Sequence, residues 1–271
     1  MGVQSLVRPS DLRAVHWSVW VLLLLALGYL ARAFTFPIFE PVAALGAVAP
    51  LFFAAAVVYV APSDRRVTWA ALALAGGPVL RLLVGLVPGQ WIASAPILVD
   101  VGHSAIELGN VLLFVGVVLL GIALGGIRSA FGVTVVVFGG AVALADLVWV
   151  LAHPVADLPM FELVRSIGFA TLTAIAWAFL LAAAIDALRS WVIVGVGLLF
   201  AKVVVEAALL WWAPGPGTNF DVISLAVNGM ALVGWVAMIG AALRGELNAT
   251  GPAGGAGRRA ARRSSPRPRA G

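Results

Sequence analysis

Stretches of apolar residues recur along the whole chain, and they constrain its fold more than any other feature. A helix needs about 20 apolar residues to cross a hydrocarbon core of ~30 Å, and each stretch is long enough to do so. Only 11% of the 271 residues are charged and 62% are hydrophobic, whereas roughly 25% of a soluble domain is charged. This composition excludes a soluble globular fold and predicts an all-α, polytopic integral membrane protein.

The hydropathy pattern predicts eight transmembrane helices, arranged as two tandem four-helix repeats in the same orientation. The chain then consists of an N-terminal segment (1–16), a first repeat (17–126), a second repeat (127–243) and a basic tail (244–271). The tail is rich in Gly, Ala, Pro, Ser and Arg, and we expect it to be disordered. The predicted helices cover residues 17–33, 41–61, 68–87, 104–124, 131–151, 161–188, 191–212 and 222–243.

Arginines between the predicted helices fall almost entirely on one side of the membrane. Cytoplasmic connections are enriched in Lys and Arg, so we predict a multi-pass protein of the cell membrane with both termini in the cytoplasm. Six of the 17 basic residues lie in the last 14 positions of the tail, where they either attract anionic lipid or only fix the orientation. We expect no nucleic-acid partner. The inner side holds Arg8, Arg13, Arg65, Arg66, Arg128, Arg189 and Arg244, and the outer side holds only Arg32, at its margin.

A short pattern occurs twice in the chain, at an offset of 122 residues. Residues 37–46 and 159–168 share the pattern P-x-F-E-x-V-x-x-x-G. The alignment continues without a gap to Trp69 and Trp191, with ten identities over 33 positions. Because each half contains an even number of predicted helices, the two copies are expected to lie the same way up, related by an axis along the membrane normal. The final glycine of each copy predicts a close approach between helices.

Polar residues at matched positions of the two halves predict one shared site. Arg81 falls one position from the equivalent of Lys202, and Asn110 matches Asn228. At 1.5 Å per residue, both cations lie about 20 Å from the inner boundary, past the centre of the bilayer. Ionisable residues inside a membrane are costly to insert, which makes these residues candidates for function.

The candidate residues all fall in the predicted outer half of the membrane, whereas the inner half contains almost no ionisable side chain. This distribution predicts a polar cavity that opens to the extracytoplasmic side and is closed beneath by apolar residues. Its excess of carboxylates favours a small polar or cationic ligand. The predicted ligand-binding residues are Glu40, Arg81, Glu107, Asn110, Asp146, Glu162, Arg165, Lys202, Glu206 and Asn228.

Lys202 and Glu206 are one helical turn apart, and this spacing allows two interpretations. In the first, the two residues form a structural ion pair that sets the orientation of their helix. In the second, the charge of Lys202 is balanced by Glu40 or Glu162 across the repeat interface and is released when a ligand or proton arrives.

His103 and Glu107 are also one turn apart, on a stripe that includes Asp100 and Asn110. They form either a wet helix face at the mouth of the cavity or two ligands of a metal site. The third ligand of such a site would come from His153, Asp146 or Asp157. We favour the wet face and expect no resident metal or cofactor.

Three classes of function agree with this pattern. The leading hypothesis is a transporter-like or ligand-binding membrane protein with one site between the repeats. The alternatives are an intramembrane enzyme that acts on a lipid or lipid-linked substrate through His103 and Glu107, and a non-catalytic sensor or assembly subunit. The sequence has no cysteine and no phosphate-binding, nucleophile-elbow or zinc-protease motif, so a non-enzymatic role is favoured.

Overall fold

The computed structural model describes residues 16–35, 41–87, 95–152, 159–211 and 220–247, and all regular secondary structure in these ranges is helical. Seven helices there are long and apolar enough to cross a membrane, and a shorter apolar segment spans Trp17–Ala31. The predicted class, an all-helical polytopic membrane protein, is confirmed. The helices are α1 (Trp17–Thr35), α2 (Pro41–Val60), α3 (Arg65–Gly85), α4 (Pro96–Ala123), α5 (Ala130–Ala152), α6 (Pro159–Asp186), α7 (Ser190–Trp211) and α8 (Phe220–Leu243).

Helix α4 begins at Pro96, well before the predicted start at residue 104. Proline suits the first turn of a helix, where its missing N–H costs nothing and its fixed φ is already helical. Asp100 and His103 lie in the added turns and lower the hydropathy there, which is why a hydropathy boundary falls too late. Helix α5 contains a π-helical turn at Val135–Gly139 between two α-helical segments.

Helices α2, α4, α6 and α8 end at the same side of the bundle, which we call the lower end. At the opposite, upper end, α3 and α7 finish and α4 and α8 begin. Every one of the four helices that end below is followed by a residue with positive φ, the conformation that commonly closes an α-helix. These residues are Ala61, Gly125, Leu188 and Gly245.

Asp64 caps the start of α3 at the lower end. Its carboxylate accepts a hydrogen bond from the Arg66 backbone N–H at 2.9 Å and is paired with the Arg66 guanidinium. The side-chain hydrogen bond from Arg66 holds the pKa of Asp64 below its ordinary value. A depressed carboxyl pKa adds stability above the unfolded-state pKa and loses it as the pH falls through the folded-state value. The cap is therefore charged and intact at neutral pH.

Six of the helices form a closed ring. From α2 to α4, and again from α6 to α8, each helix packs against the next one in the chain. Two further contacts, α4 with α6 and α8 with α2, close the ring. Helix α1 packs outside the ring on α2, and α5 packs outside it on α4 and α6. The centre of the ring is where a ligand site can form, because every ring helix faces it.

Glycines bring α4 close to α3, and α8 close to α7. A Cβ atom added at Gly116 would lie 2.9 Å from the Ala70 carbonyl oxygen, and one added at Gly234 would lie 3.0 Å from the Gly195 carbonyl oxygen. These approaches leave no room for a side chain at either position.

The glycines that end the two copies of the repeated pattern behave differently. A Cβ atom at Gly46 would meet the backbone of Asn228 in α8 at 3.7 Å, an ordinary contact. A Cβ atom at Gly168 would meet nothing within 4 Å. The prediction of a close helix approach at both glycines is therefore wrong for Gly168, because α6 turns that face outward.

Candidate functional site

A cavity of about 270 Å³ lies inside the six-helix ring. All six ring helices contribute to its wall, from α2 through α8 with the exception of α5. Its polar members lie toward the upper end, and its apolar members lie deeper. The polar lining residues are Arg81, Asn110, Lys202, Glu206 and Asn228.

A second cavity, of about 340 Å³, adjoins the first between α3, α4, α6 and α7. The two cavities share Arg81, Asn110, Lys202 and Glu206, so together they form one polar chamber. The second cavity adds Glu107 and Arg165 to the wall. Seven of the ten residues predicted from the sequence thus line one chamber, and two of its cations, Arg81 and Lys202, line both of its parts.

Three predicted residues do not line the described chamber. Asp146 lies behind Arg165 and contributes to neither cavity wall. Glu40 and the side chain of Glu162 lie outside the described residues, so the Glu-to-cation bridges across the repeat interface stay a prediction.

The two cations of the chamber have different partners. Lys202 Nζ donates a hydrogen bond to Glu206 Oε2 one helical turn away. Arg81 is exposed and makes no hydrogen bond or ion pair with any residue that the structure describes. Among the described residues, the guanidinium of Arg81 is thus unpaired, while the charge of Lys202 is already balanced within α7.

Arg165 joins three helices through two carboxylates. From α6, its Nη2 donates to Glu107 Oε1 of α4 and its Nη1 donates to Asp146 Oδ1 of α5, both at 3.0 Å. The three side chains are 8%, 13% and 7% exposed, respectively. Glu107 also accepts a hydrogen bond from Asn110 Nδ2 at 3.2 Å. Glu107 is thus held in place by groups on both of its oxygens, which explains its position at the chamber wall.

Within the described ranges, no three His, Asp or Glu side chains come together in a way that could hold a metal ion. Glu107 is committed to Arg165 and Asn110, whereas His103 lies one turn nearer the upper end of α4. His153 and Asp157, two of the predicted third ligands, lie outside the described residues.

Two tryptophans form the floor of the chamber, and the sequence-based prediction did not include them. The Trp177 and Trp235 rings meet edge to face, with centroids 6.2 Å apart, and Phe53 packs beneath Trp235 at 5.6 Å. Trp177 is 2% exposed, and its indole N–H has no hydrogen-bond partner among the residues described. Both tryptophans lie in the middle of a predicted span, away from the membrane interfaces where tryptophan is usually enriched. That position is the signal by which the sequence could have revealed them.

Comparison of the chain with protein-family models, with curated proteins and with solved structures found no match. The function must therefore follow from the chemistry of the chamber and from the arrangement of the helices around it.

Proposed function

We propose that the protein is a small multi-pass membrane transporter or ligand-binding protein, whose ligand occupies the chamber between two four-helix repeats. The observation that carries this proposal is the convergence of repeat-matched polar residues on one cavity. Arg81 and Lys202 come from α3 and α7, and Asn110 and Asn228 come from α4 and α8. Ionisable residues inside a membrane face such cavities and mark the path of a substrate.

The proposed repeats comprise α1 to α4 and α5 to α8. The pattern of contacts in the ring supports this division, because α2 packs on α8 and its counterpart α6 packs on α4. Gly116 and Gly234, which match in the two halves, both pack against the backbone of the preceding helix. An arrangement of this kind has a pseudo-twofold axis along the membrane normal, with the chamber on the axis. Helix α1, as the counterpart of α5, is the eighth span.

The proposed orientation places the lower end in the cytoplasm of the cell, because the arginines of the connections lie there. Both termini are then cytoplasmic, and the chamber opens to the extracytoplasmic side of the cell membrane. The basic tail lies at the inner surface, where its arginines attract anionic lipid.

Proline residues inside two ring helices add to the resemblance between this chamber and a transport site. Pro50 of α2 and Pro78 of α3 both line the chamber. Proline has no N–H, so the carbonyl groups of Gly46 and Leu74, one turn earlier, lose their helical donor. Both of these residues also line the chamber. Carbonyl groups released from helical hydrogen bonding in this way can accept hydrogen bonds from a ligand in the chamber.

The aromatic floor gives the proposed transport cycle its barrier. Trp235 lies seven residues below Asn228 on α8, which corresponds to about 10 Å. Below this level, the core consists of buried apolar side chains such as Leu120, Phe179 and Met238. In an alternating-access cycle, the packing of Trp177 on Trp235 would have to open before a ligand could reach the lower end.

We expect that ligand binding depends on the chamber, and a thermal-shift screen tests this. Purified protein is heated with amino acids, organic acids and organic amines, and any compound that raises the melting temperature is then offered, radiolabelled, to proteoliposomes. Binding to the folded state alone raises the apparent stability by mass action. We expect at least one class to stabilise the wild type, and to lose its effect in Glu206→Gln and Asn228→Leu.

The control for this screen is Arg65→Gln, which removes an exposed cation at the lower end of α3. This variant should respond to every compound as the wild type does. The proposal is wrong if no class of compound shifts the wild type, or if Arg65→Gln and the chamber variants lose the response equally.

A further inference from the structure

Several hydrogen-bond donors of the chamber have no partner among the described residues. Arg81 has no partner among the described residues, and its five N–H groups can only donate. The indole N–H of Trp177 is buried and also has no described partner. Lys202 uses one of its three donors on Glu206. A ligand that satisfies these groups must supply acceptor atoms.

The charges on the chamber wall favour the same class of ligand. Three basic residues line the described part of the chamber (Arg81, Arg165 and Lys202), and three carboxylates lie at or directly behind its wall (Glu107, Glu206 and Asp146). All three carboxylates already pair with a cation, Glu107 and Asp146 with Arg165 and Glu206 with Lys202. Arg81 therefore carries a positive charge that pairs with no described carboxylate. The carbonyl groups freed by the two prolines bear only partial charges and do not offset it.

The remainder of the wall indicates the shape of the ligand. Below Arg81, the chamber is lined by apolar side chains that include Leu74, Leu113, Trp177 and Trp235. Aromatic faces of this kind bind a flat or aliphatic body, whereas a guanidinium binds a carboxylate or phosphate through two parallel hydrogen bonds. An amphipathic ligand with one anionic end satisfies both parts of the chamber.

We propose that the ligand is a small organic monoanion with an apolar body, bound with its anionic group at Arg81 and its apolar body against Trp177 and Trp235. This inference rests on the proposed function and narrows it from any polar ligand to one class. It departs from the sequence-based expectation of a cationic ligand, which counted Glu40, Glu162 and Asp146 in the wall; Glu40 and the side chain of Glu162 lie outside the described residues. Asp146 is directed to Arg165 instead.

Three compounds of similar size separate the classes: benzoate, benzylamine and benzamide. Their binding is measured by titration calorimetry on full-length protein in lipid nanodiscs, with empty nanodiscs as the blank. We expect benzoate to bind more tightly than benzamide, and benzylamine to bind least tightly. Arg81→Gln should weaken benzoate binding by about tenfold or more and weaken benzamide binding by less, since both compounds offer an acceptor oxygen but only the anion uses the charge.

Two variants control the interpretation. Arg65→Gln removes a cation from the same helix outside the chamber and should bind benzoate as the wild type does. Trp177→Leu removes the aromatic face on which the apolar body lies, and it should weaken the binding of benzoate and of benzamide alike by a few-fold. The inference is overturned if benzylamine binds as tightly as benzoate, or if Arg81→Gln leaves benzoate binding unchanged.

The same titrations separate failure of this inference from failure of the proposed function. If none of the three compounds binds to the wild type but a compound of another class stabilises it in the thermal-shift screen, only this inference is contradicted. If no compound binds in either experiment, both are contradicted. If benzylamine or benzamide binds and Glu206→Gln weakens that binding, the chamber remains a ligand site. If Arg81→Gln then leaves benzoate binding unchanged, only the anionic class of ligand is rejected.

Discussion

Replacement of Arg165 by methionine is expected to destabilise the fold more than any other single substitution in the chamber. The change leaves Glu107 and Asp146 buried without the cation that joins them. Removal of one partner from a buried ion pair costs about 3–5 kcal/mol, because the remaining charge is uncompensated. This one side chain forms the ion pairs that join α6 to α4 and to α5 at the upper end. We therefore expect a large fall in monodisperse protein and in its melting temperature in detergent.

Two matched variants show whether the loss comes from the buried network. Arg81→Met removes an arginine from the same end of the bundle that has no described carboxylate partner, and it should be far milder. Asp146→Asn keeps an oxygen that can accept a hydrogen bond from Arg165 and removes the negative charge. The second carboxylate oxygen of Asp146, Oδ2, has no hydrogen-bond partner among the described residues. This variant should also be milder. Equal losses in Arg165→Met and Arg81→Met would show that the three-helix network does not stabilise the fold.

Alanine at Gly116 or at Gly234 is expected to separate a pair of helices in each half of the chain. The added Cβ would lie 2.9 Å from the backbone N of Leu74 in the first case, and 3.0 Å from the Gly195 carbonyl oxygen in the second. Backbone atoms cannot move aside without shifting a whole helix, and overpacking of this kind costs about 1–3 kcal/mol. Because the two glycines are counterparts in the proposed repeats, we expect losses of similar size.

The control for this pair is Gly229→Ala, also on α8, where a Cβ atom would meet nothing within 4 Å. Alanine is a better helix former than glycine, so this variant should match or exceed the wild type in melting temperature. If Gly116→Ala and Gly234→Ala are as stable as Gly229→Ala, the close packing is wrong. If only one of them is destabilised, the proposed equivalence of the two halves is contradicted.

The sequence predicts those features that depend on the position of a residue along one helix. The spans follow from hydropathy, and the shared level of Arg81, Lys202, Asn110 and Asn228 follows from the rise per residue and the repeat. The choice of partners between helices does not follow in this way. Whether Glu107 pairs with Arg165 or faces a metal depends on how α4 and α6 are rotated, and that rotation is set by packing. The same limit explains why Asp146 was placed in the ligand site, although it lies behind Arg165.

The aromatic floor illustrates a second limit. Trp177 and Trp235 occupy positions that do not match in the two halves, since Ala55 stands at the position equivalent to Trp177. A search guided by the repeat passes over such residues. Their unusual depth within the spans is visible in the sequence. Their contact with each other depends on how α6 and α8, which are not neighbours in the ring, are rotated toward its interior.

We expect the polar chamber inside the six-helix ring to be open to water at the upper end. The accessibility of introduced cysteines measures this opening. The chain has no cysteine, so a single introduced thiol reports only on its own position. A charged, membrane-impermeant thiol reagent reacts with the thiolate form, which requires water. The reagent is added to one side of intact cells or of oriented proteoliposomes.

The test variant is Asn228→Cys, in the wall of the chamber. The control variant is Val233→Cys on the same helix, at a position that is 56% exposed and does not line the chamber. We predict rapid modification of Asn228→Cys from the extracytoplasmic side only, and protection of Val233→Cys by lipid from both sides. The chamber is not open to water at the upper end if Asn228→Cys is protected from both sides. The same holds if Val233→Cys is modified as rapidly as Asn228→Cys.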